Sequence, residues 1–333
     1  MALSFEDMLD EFRALGGIAD NICIKQGRFG RGLFPVDPAK PARVGAPDHL
    51  LVGTDHVVFE NGALRIGPGS GLSAREKAFI EAYEQEFSWG PSRGELAELL
   101  EMFAAAPPEL RAVLDKPLNV DGWLAEPNDK AVQERFFASR AANYNGRTVL
   151  MPVVDLVNHG STGTYLSGGG GVGVEGTFSG EVLAGYQLGD PLRIFARWGF
   201  ASPEPLGLSL AMRAESGSGP IAVKRSPIRR ATNRMLYPDV SLEDGVLVLS
   251  YLLLGHRDYP RLPKANFYRI MRDAGRGDDA EEAFDKIQHI NRVQFVRLIR
   301  ACEGAAPPLA CLLREVGCLQ LEALSNYAGT VDI

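Results

Sequence analysis

Three stretches of the chain combine residue types able to bind or transform a ligand. In VLMPVVDLVNH (Val149 to His159) an apolar run ends in Asp155, Asn158 and His159, which bring a carboxylate, an amide and an imidazole close together. Such a set can ligate a metal. No further carboxylate or imidazole lies near enough in sequence to complete a site, so no metal is expected. Alone, His159 is more often a packed, hydrogen-bonded residue than a ligand. In GRFGRGLF (Gly27 to Phe34) the glycines let backbone approach a ligand closely. Their spacing runs the wrong way for a dinucleotide fingerprint and no long helix follows, so a Rossmann site is unsupported. Read alone, this stretch is a turn between strands. The third, SGEVLAGYQLGDPLRIFARWGF (Ser179 to Phe200), places Tyr186 at a strand end and leads through a short helical stretch to Trp198-Gly199-Phe200. A strand-end tyrosine acquires a chemical role only if the fold carries it into a cleft.

The elements that must position these residues follow from patterning. Phe5, Met8, Leu9, Phe12 and Leu15 form a helical stripe, with Ser4 as cap and Gly16-Gly17 as stop. From Asn21 to about Gly67, short β-rich runs (ICIK, GLFPV, HLLVG, HVVFE) alternate with Gly and Pro, as small strands and tight turns do. Ser73-x-x-Glu76 and Ser92-x-x-Glu95 spell two capping boxes ahead of periodic apolar stretches. Pro107-Pro108 interrupts, Glu109 to Leu114 adds a turn, and Asp129 to Arg140 predicts an amphipathic helix. Strand-like sequence returns at Thr148 to Val154 and Gly173 to Tyr186, joined by a Gly-rich connection that includes Gly168 to Gly171. From about Glu204 the pattern is read as mainly helical, with Ser241 to Gly255, Ala280 to Cys302 and Leu309 to Tyr327 as the strongest helices. No fixed-period repeat is visible.

Composition limits the function classes. The chain has 333 residues, 45% hydrophobic and 23% charged, enough for one large domain or two ordinary ones. Its longest apolar run, VLVLSYLLLG (Val246 to Gly255), is short of the ~20 residues a membrane span needs. The acidic N-terminus lacks the apolar core of a secretory signal. Cys23, Cys302, Cys311 and Cys318 form no C-x-x-C pair, which argues against zinc and disulfides and for a reducing cytoplasm. A net charge of −7 argues against a nucleic-acid partner. The basic residues Lys224, Arg225, Arg229, Arg230 and Arg234 are read as a solvated face beside a helix.

In their order and wording the three segments together resemble the SET-domain methyltransferases, in the branch containing the Rubisco large-subunit lysine methyltransferase. Gly30-Arg31-Gly32-Leu33 matches the family's G-x-G-L turn, and Pro47-Asp48-His49-Leu50-Leu51 its Pro-x-x-Leu-Leu phrase. Pro152, Asp155, Asn158 and His159 match the central phrase. Gly180-Glu181, Tyr186 and Trp198-Gly199-Phe200 match the last. The match covers most of Asn21 to Pro205.

That resemblance implies an α+β fold: a SET-type β fold of small sheets over residues 1–205, with a helical insert at about 70–135, a knot-like C-terminal threading, and a helical, substrate-docking domain over 206–333. It implies S-adenosylmethionine (AdoMet) as methyl donor, a protein partner, and lysine N-methylation of a non-histone target. Another nucleophile (histidine or a small amine) and an AdoMet-binding protein without turnover are the alternatives. By resemblance, Asn158 holds the AdoMet amino group and the Asn158-His159 backbone meets adenine. The Gly30 to Leu33 turn wraps the cofactor, and Arg140 meets the methionyl carboxylate, which suits a guanidinium fork. Tyr186 orients methyl and amine. Asp155 lines the amine site, carbonyls near Ser139 and Asp155 complete a polar collar, and Tyr165 and Trp198 wall the channel, where aromatic faces favour a cation. Trp198 stands where relatives carry Tyr, and Gln187-Leu188-Gly189-Asp190 replaces the family's wording, so the chain departs from its relatives near the acceptor.

Overall fold

In the computed structural model the described residues are 4–125, 128–160, 163–167, 170–228 and 236–325. Helix α1 (Phe5–Ala14) starts at Ser4, whose hydroxyl accepts a bond from the Asp7 amide, and buries Met8, Leu9 and Phe12. The β-rich stretch then folds as short strands β1 (Ile18–Asp20), β2 (Ile22–Gly27), β3 (Gly30–Pro35), β4 (Ala42–Pro47), β5 (Val52–Gly53), β6 (Val57–Glu60) and β7 (Ala63–Ile66). The insert supplies α2 (Ala74–Phe87), α3 (Trp89–Ala104), α4 (Pro108–Leu118), α5 (Val120–Ala125) and α6 (Asn128–Arg140). Strands β8 (Ala142–Tyr144), β9 (Arg147–Leu150), β10 (Asn158–His159), β11 (Leu166–Ser167), β12 (Gly171–Gly176) and β13 (Leu183–Ala184) follow, then helix α7 (Pro191–Trp198). The C-terminal part contains β14 (Leu206–Leu208), β15 (Met212–Ser216), β16 (Gly219–Val223), β17 (Val240–Glu243), β18 (Val246–Leu249) and β19 (Leu253–His256), followed by α8 (Leu262–Asp273), α9 (Ala280–Ala301) and α10 (Pro307–Ser325).

The chain divides into two compact units, residues 1–98 with 127–187 and residues 99–126 with 188–333. The first unit is a set of small sheets: β1-β4-β12-β11, β5-β9-β8, and the pairs β2-β3, β6-β7 and β10-β13. Helices α1 and α2 cover part of it, with Phe12 stacked on Phe79 at 5.8 Å between ring centroids. The second unit has a main core and a smaller cluster of Leu206, Leu208, Leu236, Tyr251 and Leu253. Phe103, Leu110 and Leu114 of the insert share the main core with Ile221, Leu247, Phe267, Phe284 and Leu313. The sequence expectation of a division after 205, with the whole insert in the first region, differs from these units, which part at 187 and divide the insert.

Two local expectations are corrected. Ser241 to Gly255 is not a helix but β17, β18 and the start of β19, and the described residues between 206 and 256 are strand-rich rather than helical. Central strand β18 pairs parallel with β16 and antiparallel with β17, and Leu247, Val248 and Leu249 are all buried. A strand covered on both faces has no apolar-polar alternation and looks like a buried helix in sequence. The capping box at Ser73 and Glu76 forms in both directions. Ser92 caps nothing: it lies inside α3, because the chain restarts its helix at Trp89, immediately after Ser88. The proposed basic face is also revised. Arg225 is only 14% exposed and pairs with buried Asp190 at 2.8 Å. Arg229, Arg230 and Arg234 lie outside the described residues, as do Gly168 and Gly169 of the Gly-rich connection.

Candidate active site

The first unit brings together the first two sequence segments and the part of the third up to Gln187. Strand β10 is the Asn158-His159 pair itself, and it runs parallel to β13, with Asn158 opposite Leu183 and His159 opposite Ala184. The chain just before β13 also reaches β3, where the Val182 amide donates to the Leu33 carbonyl at 2.7 Å. The Gly30 to Leu33 segment, the Asn-His pair and the approach to Tyr186 are thus neighbours through backbone hydrogen bonds. Gly30 sits at the β2-β3 turn with φ +93°, a conformation that favours glycine.

Tyr186 and His159 face each other, their rings 5.2 Å apart, and the Tyr186 amide donates to His159 Nδ1 at 3.2 Å. That contact makes Nδ1 the acceptor nitrogen. The Tyr186 hydroxyl donates to the Val157 carbonyl at 2.8 Å, and the Tyr165 hydroxyl points to the same oxygen at 3.4 Å. The two tyrosine rings lie 6.3 Å apart. Burial pushes the Tyr186 phenol well above its ordinary value; Arg140 opposes that shift, while Asp155 and Glu181 add to it. Burial raises the Tyr165 phenol in the same direction. Both hydroxyls therefore stay protonated, and neither is a base near neutral pH.

Asn158 is buried, and its amide nitrogen donates to the Arg31 carbonyl at 3.1 Å and to Glu181 Oε1 at 2.6 Å. Arg140, at the end of α6, donates from Nη1 to the Asp155 carbonyl at 2.8 Å and from Nη2 to Ser92 Oγ at 3.3 Å. The Ser139 hydroxyl turns back to the Phe136 carbonyl of its own helix at 3.0 Å. The Asp155 carboxylate is held by the Tyr83 hydroxyl and, at 2.7 Å, by Ser88 Oγ. Trp198 belongs to the second unit, as the last residue of α7, with the Arg197 guanidinium 4.8 Å from its ring centroid.

Sequence reasoning missed the acidic floor behind Asp155. Glu84 is 1% exposed and its Oε2 has no hydrogen-bond partner. Burial and the neighbouring Asp155 charge push its carboxyl up to about 8. Burial also raises Asp155, but Arg140, Tyr83 and Ser88 pull it back. We assign the proton of this pair to Glu84 and the negative charge to Asp155. One available signal was helical spacing: Glu84 falls four residues after the buried Ile80, on the apolar face of α2. Just ahead of Asp155, Val153 is held at φ +68°, a strained setting for a β-branched residue. Such strain persists only where surrounding contacts over-determine it, and the clamp on Asp155 supplies them.

No family model matches this chain and no curated protein matches it. Among solved structures, one described as Rubisco LSMT bound to AdoMet aligns over 99% of this chain and 91% of that one, with a TM-score of 0.45 and 14% identity. The SET domain of LSMT bound to lysine and AdoHcy aligns over 98% and 90%, with a TM-score of 0.42 and 14% identity. Among the described residues no helix is long and apolar enough to cross a membrane, and no group of three or more His, Cys, Asp or Glu side chains is placed to hold a metal.

Proposed function

We propose that this chain is an AdoMet-dependent N-methyltransferase of the SET type, acting on a lysine side chain of a non-histone protein. The observation that carries the reading is the meeting of the Tyr186 hydroxyl with the Val157 carbonyl, directly beside the Asn158-His159 strand. When bound, AdoMet supplies a methyl group on a positively charged sulfur, ready for in-line transfer to a neutral amine.

The residues present fit such a donor. Backbone from Gly30 to Leu33 is open to a ligand at Gly30, while at Gly32 the Glu181 carboxylate and the Asn158 amide fill the place of a side chain, and the side-chain and carbonyl oxygens there suit a cation. Asn158 and the backbone of His159 would hold the amino group and adenine. Arg140 would meet the carboxylate by giving up its longer contact, the one to Ser92. Tyr186 stays protonated and orients rather than removes a proton. The Val157 carbonyl and the two tyrosine oxygens form an acceptor-rich edge for an incoming amine. A cation and a dry channel lower the amine's pKa, so its proton can leave to solvent without a dedicated base.

The test has two parts. Saturating AdoMet should raise the melting temperature of the wild-type chain. Incubation with isotopically labelled AdoMet and host proteins should then place label on lysine, read by mass spectrometry. Tyr186→Phe should still bind AdoMet and transfer about 10²-fold more slowly, the usual scale for losing one oriented donor. Absence of transfer from wild type would refute the enzyme reading, and equal rates in the variant would refute the role given to Tyr186. Label on histidine or a small amine would move the acceptor.

A further inference from the structure

Glu181 occupies a position that the roles above do not use. Its carboxylate lies over the β2-β3 ladder, where side chains are missing: a Cβ on Gly32 would overlap Oε1, and one on Gly27 would overlap Oε2. It is half-buried there and accepts from the Asn158 amide at 2.6 Å. Among the described residues no cationic side chain pairs with it, and burial pushes its carboxyl upward while Asn158 pulls it back. A carboxylate placed in this way is electrostatically under-compensated.

The amide beside it shows what could compensate it. Asn158 Nδ2 spends its two protons on the Arg31 carbonyl and Glu181 Oε1. A primary ammonium carries three protons and needs three acceptors at similar distances. The Arg31 carbonyl and Glu181 Oε1 are two of them. The Asn158 NH2 group thus stands where an ammonium would sit. Asn158 becomes the third acceptor when its side chain swings aside, yields that place and turns its amide oxygen toward the incoming ammonium, since an amide has a donor end and an acceptor end.

Building on the methyl-donor reading, we propose that Glu181 is the counter-ion of the donor's α-ammonium group. It completes a three-acceptor cradle with the Arg31 carbonyl and Asn158. The amino-acid end is then recognised through a charge-assisted bond, which is stronger than a neutral one. Glu181 also lies within electrostatic reach of Tyr186, so the cradle sits near the phenol that orients the methyl group.

The test compares two ligands on the full-length chain by calorimetry. AdoMet carries the ammonium; 5′-methylthioadenosine keeps adenine, ribose and sulfur but has no amino-acid tail. Glu181→Gln preserves shape and removes charge. It should weaken AdoMet by at least about tenfold, as expected for loss of a buried charge-assisted bond, and leave methylthioadenosine within about twofold, since that ligand makes no such bond. Glu181→Asp, which keeps the charge on a shorter stem, should fall between wild type and Gln. Unchanged AdoMet affinity in Glu181→Gln overturns the proposal, and so does equal weakening of both ligands, which would place Glu181 on the nucleoside. If Glu181→Gln does not fold, wild-type AdoMet affinity in Glu181→Asp overturns it. Absence of AdoMet binding by the wild type is a separate result: it refutes the methyl-donor reading along with the cradle.

Discussion

A carboxyl group buried beside another carboxylate must keep its proton or disturb its surroundings. Glu84 is in that position next to Asp155, and its carboxyl is pushed from 4.5 up to about 8. The consequence for stability has a definite sign. Below pH 4.5 Glu84 is protonated in both folded and unfolded chains and favours neither. Between 4.5 and about 8 the unfolded chain releases the proton and the folded chain keeps it, so stability falls as pH rises and levels off above about 8. Glu84→Gln fills the same space without titrating. Thermal unfolding from pH 5 to 9 should show the variant gaining on wild type by a few kcal/mol, most of it before pH 8. Parallel curves would show that Glu84 does not hold the proton. At this scale the sequence exposes Asn158, His159 and Tyr186 through local wording. It conceals the partners of Asp155, because Tyr83 and Ser88 lie 72 and 67 residues away and meet it only after α2 packs.

Single elements differ in how much their terminal residues carry. At α2 the Ser73-Glu76 box is exposed, and Ser73→Ala should cost about 1 kcal/mol. At α7 the cap is Asp190, fully buried. Its Oδ1 accepts from the Arg193 amide and Arg225 Nη2, each at 2.8 Å, and Oδ2 accepts from Gln320 Nε2 at 2.9 Å. The Leu192 amide donates in turn to Gln320 Oε1 at 3.2 Å, tying α10 to α7. Removing the carboxylate leaves Arg225 buried without its counter-charge. Asp190→Ala should therefore cost about 3–5 kcal/mol, several times the Ser73 effect. Urea denaturation of the two variants measures the difference, and similar losses would show that the α7 network adds nothing beyond a cap. The contrast explains what is legible in an element. A capping box is spelled by residues three apart, whereas the Asp190 network needs partners from residues 225 and 320. Even the local spelling misleads when context differs, as at Ser92, whose hydroxyl serves Arg140 instead of a helix end.

The division of the whole chain decides how it can be cut. By sequence, the helical insert belongs with the β-rich segments that flank it, and a cut after Pro205 falls between the two expected domains. In the structure the insert residues Phe103, Leu110, Leu114 and Leu118 are at most 5% exposed, in the core of the second unit. Most of the residues that share that core, including Ile221, Leu247, Phe267, Phe284 and Leu313, lie beyond 205. Truncation there keeps the insert and removes what covers it. Exposing four large apolar side chains forfeits about 1.5–3 kcal/mol each. The sum, about 6–12 kcal/mol, is comparable to the whole stability of an ordinary domain. Patterning could not reveal this, because an amphipathic helix announces that it has a buried face and not which strands will cover it. Fragment 1–205 is therefore expected to aggregate or to lack cooperative unfolding, as size-exclusion chromatography and thermal circular dichroism would show. Loss of methyl transfer in such a fragment would then say nothing about substrate docking. A soluble, monomeric fragment with a sharp transition would show instead that the insert finds another cover, and would restore the simpler division after Pro205.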